Sequence, residues 1–259
     1  MKNNARIHYG WIILVIAVIT VTGALGFARF GYATILESMK QGLSLTEVEA
    51  ADLQTGNMAG YLLLILVCGF LASRFGPRLI IGVSMIVVAM AMILTGLAPG
   101  FEVAFISRTL TGMGSGGANI PVMGLVSAWF TARKRGLAAG IAVSGSSFGL
   151  LVTGSVIPVI LEKYGPYGWR YSWFFLGGLT LIFAALCIIF LRNKPEEKGL
   201  KPMGLVGENG DDGGTAPPLP DAVKKVTPLN WKLIYRTPSV WYLAFIYILF
   251  GFSYIIYAT

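Results

Sequence analysis

Six apolar runs follow one another with short polar breaks between them, over residues 11–36, 51–72, 79–98, 101–130, 136–161 and 171–191. A seventh occupies 240–259. Crossing about 30 Å of hydrocarbon takes roughly 20 predominantly apolar residues in a helix. Strands of a transmembrane barrel need only about 9–11 alternating residues. The runs are therefore read as helices, which also satisfy their own backbone in lipid. The fold class expected is an all-α polytopic membrane protein. Composition agrees, with 55% hydrophobic and 12% charged residues and a mean hydropathy of +0.71. A globular domain carries about 25% charge, and disorder needs low hydrophobicity.

The first run follows Lys2 and Arg6, as a signal peptide would. The apolar core of such a peptide usually spans only about 7–15 residues. Five more full runs and the seventh at 240–259 follow this one, so it is read as a retained span. Basic residues then set the orientation. Fifteen lysines and arginines fall in the N-terminus and loops 2–3, 4–5 and 6–7, against three (Lys40, Lys163 and Arg170) on the other side. The N-terminus and the 6–7 segment are expected to be cytoplasmic, in a multi-pass protein of the plasma or inner membrane. The net charge of +8 is then a topology signal, and nucleic acid is not expected as a partner.

Three parts are expected: a six-span block over 1–191, a cytoplasmic linker over 192–239 and span seven over 240–259. The linker holds Gly-Asp-Asp-Gly-Gly and Pro-Pro-Leu-Pro, a composition of flexible connectors. Its end, 228–236, mixes Trp231, Leu233 and Tyr235 with Lys232 and Arg236, as a short interfacial helix would. A seventh span with nothing to pack on is a poor ending, so the chain is read as incomplete, lacking a C-terminal half. Span one contains Gly-Phe-Ala-Arg-Phe-Gly-Tyr-Ala-Thr over 26–34, and 251–259 reads Gly-Phe-Ser-Tyr-Ile-Ile-Tyr-Ala-Thr. Five of nine positions agree, which is read as an internal duplication.

Chemistry-bearing residues are sparse. Cys68 and Cys187 lie inside apolar runs and are read as buried small hydrophobes. His8 is the single histidine, so no metal site, cofactor or catalytic pair is expected, and an enzyme is disfavoured. Arginine within a span is costly and marks a pathway by default. Arg108 opens a small, polar helical face continued by Gly112, Ser115 and Asn119. The alternative is that it snorkels to the outer interface. Arg29 lies deep in the first run with Tyr32 beyond it. It is read either as an anion ligand or as locked to Glu37 or Asp52. Asn57 and Tyr61 share a face of span two, and Ser144 and Ser147 lie on span five. Trp169 and Trp173, before and at the start of span six, suit an interfacial aromatic belt.

Loop 2–3 reads Gly69-Phe-Leu-Ala-Ser73-Arg74-Phe-Gly76-Pro77-Arg78. Gly76 and Pro77 make a tight turn, and Arg74 and Arg78 can bond nearby helix ends. The segment resembles the loop 2–3 signature of the major facilitator superfamily, Gly-x-Leu-Ala-Asp-Arg-x-Gly-Arg-Arg, with Ser73 in place of the acid. Arg108-Thr-Leu-Thr-Gly112-Met-Gly114 resembles that family's fourth-helix pattern, Arg-x3-Gly-x-Gly, and Gly168-Trp169-Arg170 another common facilitator sequence. The Gly-Pro of the antiporter signature is absent from span five, where Ser146 follows Gly145. Arg-Phe-Gly-Pro-Arg and Lys-Arg-Gly-Leu-Ala look like monocarboxylate and oxalate–formate porters. Gly-Phe-Ala-Arg-Phe-Gly-Tyr looks like a neighbouring prokaryotic group.

The resemblance implies two six-span halves, a central site and alternating access driven by an ion gradient, most plausibly protons. The expected function is secondary transport of a small solute such as an anionic monocarboxylate. The substrate ligands expected are Arg29, Tyr32, Asn57, Tyr61, Arg108, Ser115, Asn119, Ser144 and Ser147. Coupling falls to Glu37, Asp52 or Arg108, and the conformational turn to Gly69, Arg74, Gly76 and Arg78. The competing reading is a non-transporting receptor or inactive relic of the same fold. A channel is disfavoured by the lack of a filter-like loop.

Overall fold

The computed structural model describes residues 8–204 and positions 238, 241, 242, 245, 246 and 249. It divides into two units, Met1–Val206 and Gly207–Thr259. The six described positions of the second unit are helical and their side chains are exposed. The rest of the expected span seven, the duplicated segment at 251–259, the interfacial segment 228–236 and most of the linker lie outside the described residues.

The first unit is a bundle of six long helices, one for each expected span. Span one is a continuous helix of 35 residues, Tyr9–Leu43. It comprises α-helix Tyr9–Val21, a π-helical stretch Thr22–Phe30 and α-helix Gly31–Leu43. Span two is Glu47–Phe75, span three Pro77–Leu97 and span four Phe101–Trp129. Span five runs as Ala132–Val143 and Gly145–Tyr164, with a turn at Ser144, and span six is Gly168–Phe190.

Polar caps set the ends. The backbone N–H of Gly10 donates to the His8 imidazole at 3.1 Å, so the single histidine caps span one. Thr46 and Glu49 form a reciprocal capping box at the start of span two. Ser44 takes a left-handed φ of 54° between these helices, and Gly76, at φ 86°, makes the turn into Pro77 and span three. Because such caps are polar, they sit outside the apolar runs, and most of the helices begin or end a few residues beyond them.

Spans one, two and three, and the stretch Ala132–Phe190 that contains spans five and six, are long and apolar enough to cross a bilayer. Span four is as long as span two, at 29 residues, but is diluted by glycine, serine and threonine. Those small residues put it in the centre of the bundle. Gly112, Gly114, Gly116 and Gly117 are all buried. A Cβ at Gly112 would collide with the carbonyl oxygen of Asn57 on span two, so these helices meet backbone to backbone, as small residues allow. Span three packs against both four and six, and span five against the π-helical part of span one. Outward-facing side chains such as Leu62, Leu66, Phe70, Ile182 and Ile189 are exposed, which suits a surface bathed in acyl chains.

Two apolar clusters fill the interior. One gathers Ile13, Ala17, Met85, Val126 and Trp129 around the N-terminal end of span one. The other gathers Tyr32, Met39, Leu53, Trp169 and Trp173 towards the opposite end. Trp169 and Trp173 are 1% and 0% exposed. Their expected place in an interfacial belt is corrected: the Trp169 ring turns inward beside Gly42 of span one and the Trp173 ring beside Arg108 of span four.

The beginning of the 6–7 segment is packed onto the bundle. Leu191 is buried, and Pro195–Lys198 forms a short 3-10 turn. Leu200 and Met203 pack against the first cluster. The Met203 N–H donates to the Trp129 carbonyl at 2.8 Å, and the Thr131 N–H donates to the Met203 carbonyl at 3.2 Å. The Trp129 indole N–H donates to the carbonyl of Arg192 at 2.9 Å.

Candidate functional site

Arg108 sits on the central helix about two turns from its start, roughly 10 Å at 1.5 Å per residue. It is fully buried, at 0% exposure, and its guanidinium turns inward. The snorkelling alternative is thereby corrected. One terminal nitrogen donates to the Ala28 carbonyl of span one at 2.9 Å. The other donates to Gln54 Oε1 of span two at 3.3 Å. Two aromatic rings lie beside the group, with Cζ 4.4 Å from the Tyr32 centroid and 5.2 Å from that of Trp173. Such contacts give about 2 kcal/mol or more when desolvated.

The surrounding groups are themselves held. The Tyr32 hydroxyl donates to the Ala50 carbonyl at 2.6 Å. Asn57 Nδ2 donates to the carbonyl of Arg108 itself at 3.0 Å. Four helices therefore converge on one guanidinium. Among the described residues no carboxylate lies within ion-pair distance of it; Lys40, by contrast, pairs with Glu37 and with Glu47. Two buried polar atoms at this place, Arg108 Nε and Trp173 Nε1, have no hydrogen-bond partner.

Span one meets Arg108 through its irregular stretch. A π-helix widens the turn and is found mostly at functional sites. Ala28, whose carbonyl receives Arg108, and Arg29 both belong to it. Arg29 is partly exposed.

The other expected ligands are distributed as follows. Tyr32 and Asn57 join the Arg108 group directly. Asn119 and Tyr61 pair with each other, Nδ2 to hydroxyl at 3.0 Å, about 16 Å along span four from Arg108 at 1.5 Å per residue. Ser115 is buried and donates to the Thr111 carbonyl of its own helix. Ser144 donates to its own Ile141 carbonyl, and Ser147 is exposed. Glu37 and Asp52 are both exposed. Glu37 accepts from Gln41 Nε2 at 2.8 Å and lies 4.0 Å from Lys40.

At the opposite end, Arg78 forks onto the Ile188 carbonyl of span six with Nε at 3.1 Å and a terminal nitrogen at 2.6 Å. Its backbone N–H donates to Asn193 Oδ1 at 2.9 Å. Arg74 and Gly69 are exposed, with the Arg74 guanidinium 5.6 Å from the Phe75 ring.

Gln54, Trp173 and Asn193 were not among the expected functional residues. Gln54 had a signal, since Gln54, Asn57 and Tyr61 are polar positions three and four residues apart on one helical face. Trp173 had none that separates a buried indole from an interfacial one.

The sequence profile of the Major Facilitator Superfamily matches residues 11–259, and the chain belongs to that superfamily. Among curated relatives, it is 28% identical over 191 residues to the "probable sulfoacetate transporter SauU" of Cupriavidus necator, covering 74% of this chain and 42% of that protein. It is 26% identical over 159 residues to the hexuronate transporter of Bacillus subtilis, covering 61% of this chain and 37% of that one. The chain thus spans about two-fifths of the length of these relatives. Of solved structures, the partially occluded, inward-open xylose transporter XylE of E. coli superposes with a TM-score of 0.62 at 19% identity, over 74% of this chain and 52% of XylE. That likeness is one of fold.

Proposed function

We propose that the chain is the N-terminal half of a secondary active transporter for a small organic anion, a monocarboxylate in the first instance. Arg108 carries this reading. A buried cation without a counter-charge is strongly unfavourable, so a site that buries one beside two aromatic rings suits a solute that brings the negative charge itself. Arg29, one residue from the Ala28 carbonyl that Arg108 grips, is the second cationic ligand. The named substrates of two relatives, sulfoacetate and hexuronates, are small organic anions, which supports the same class.

Transport runs by alternating access against a second six-span half, with the N-terminus and the 6–7 segment in the cytoplasm. Protons are the proposed coupling ion. Glu37 and Asp52 are the carboxylates this half offers for that role, at the same end of the bundle as Arg108.

The test is uptake by the full-length protein in proteoliposomes, using labelled sulfoacetate and glucuronate with xylose as the neutral control. Arg108→Gln and Arg29→Gln should each lower anion uptake at least tenfold, the effect of about 1.4 kcal/mol of lost interaction, with protein incorporation unchanged. Uptake of both anions at the unsubstituted rate by both variants would overturn the proposal. Collapsing an imposed pH gradient should abolish accumulation; accumulation that survives it removes the proton.

A further inference from the structure

Two buried donors lie unpaired in one place. Arg108 Nε and Trp173 Nε1 each lack a hydrogen-bond partner, and the guanidinium carbon stands 5.2 Å from the Trp173 ring centroid. Both residues are 0% exposed. Neither group can accept, because a guanidinium and an indole N–H only donate, so they cannot satisfy one another. Native interiors pair nearly all such atoms, and each exception has a reason. Here the exceptions are neighbours, and one of them belongs to a cation that has no carboxylate beside it.

We propose that Trp173 is a substrate-contacting residue: its indole N–H and Arg108 Nε together receive one anionic oxygen of the transported solute. This rests on the reading of Arg108 as an anion ligand and extends it to span six. The two donors are buried with no acceptor among the described residues. A carboxylate or sulfonate oxygen supplies that acceptor and the missing negative charge in one step. The Tyr32 ring centroid lies 4.4 Å from the guanidinium carbon, and the Ala28 carbonyl and Gln54 hold its terminal nitrogens. The fork is thereby fixed with its Nε edge left over for the ligand. Both donors are shielded from solvent, so the oxygen reaches them only after the surrounding side chains rearrange.

The experiment is a concentration series of sulfoacetate and glucuronate uptake by the full-length protein in proteoliposomes, for Trp173→Phe and Trp173→Leu. Trp173→Phe keeps a flat ring over Arg108 and removes only the donor. It should raise KM for both anions about tenfold or more, the loss of one hydrogen bond to a charged group, with kcat held within about twofold. A ring needed only for packing would not separate the two constants in this way. Trp173→Leu should lose affinity further, because the face goes as well. Binding is read independently from thermal unfolding in detergent. The unsubstituted protein should gain Tm with each organic anion, and Trp173→Phe should gain less at equal concentration.

Unchanged KM in Trp173→Phe would overturn the proposal, with a water molecule as the acceptor left in its place. A Tm gain from sodium chloride equal to that from the organic anions would also overturn it, by making the site one for inorganic anions. If Arg108→Gln and Arg29→Gln both transport normally, the functional reading itself falls; if Arg108→Gln alone does, the shared oxygen site falls. If Arg108→Gln fails while Trp173→Phe keeps its KM, only the role of Trp173 falls.

Discussion

Arg108 is held from two directions, by its side chain and by its backbone. Asn57 Nδ2 donates to the carbonyl of Arg108 from span two, at 3.0 Å and fully inside the bundle. That bond fixes the height of span four against span two, and with it the level at which the guanidinium meets Ala28 and Tyr32. Asn57→Ala should lower stability by about 1–3 kcal/mol, the range for losing a buried hydrogen-bonded partner, read as a reduced Tm in detergent. The presence of an arginine in span four was legible in the sequence, and so was its likeness to a pathway residue. Its direction was not. An arginine seven residues inside a helix can reach an interface or turn inward, and the choice is made by what the neighbouring helices offer. Here they offer a carbonyl, an amide oxygen and two aromatic faces. Trp173 shows the same limit, because a tryptophan near a span end reads as interfacial until the helix beside it is placed.

At the scale of the helix, spans one and five are matched irregularities. The π-helical stretch Thr22–Phe30 faces the turn at Ser144. Thr22 Oγ1 stands 2.9 Å from the Gly145 carbonyl and 2.9 Å from the Val18 carbonyl of its own helix, so its hydroxyl links the two spans. A Cβ at Gly26 would stand 2.6 Å from the Cα of Gly149, so neither position has room for a methyl group. Gly149→Ala should therefore cost about 1–3 kcal/mol by overpacking. Gly154→Ala, on the same helix with nothing within 4 Å of its Cβ, should be neutral or gain up to about 1 kcal/mol from helix propensity. Thermal unfolding of the two variants side by side checks this; equal Tm values would contradict it. The six helices were legible because hydrocarbon thickness sets a minimum run length that few sequences meet by accident. The π-helical stretch was not, since Thr-Gly-Ala-Leu-Gly-Phe-Ala-Arg-Phe has no residue that marks a change of helical period.

At the scale of the whole molecule, the distribution of lysine and arginine predicts which face of the bundle meets the cytoplasm. Single cysteines test it. With Cys68 and Cys187 buried, Gln41→Cys should react with a membrane-impermeant maleimide in intact cells, and Lys198→Cys only after permeabilisation. The reverse pattern would invert the topology. The sequence assigned the whole of 192–239 to a flexible connector from its composition, but composition is an average over the segment. Its first residues carry Leu200 and Met203, apolar groups that join Leu191, just before them, in the first cluster.

The strand-like pairing of Met203 with Trp129 and Thr131 has a mechanical consequence. After leaving span six the polypeptide crosses the base of the bundle and is anchored at the junction of spans four and five before it travels on. Tension arriving along the chain from downstream is delivered to that junction, at the foot of the same rod that bears Arg108, and reaches span six only after the anchor gives way.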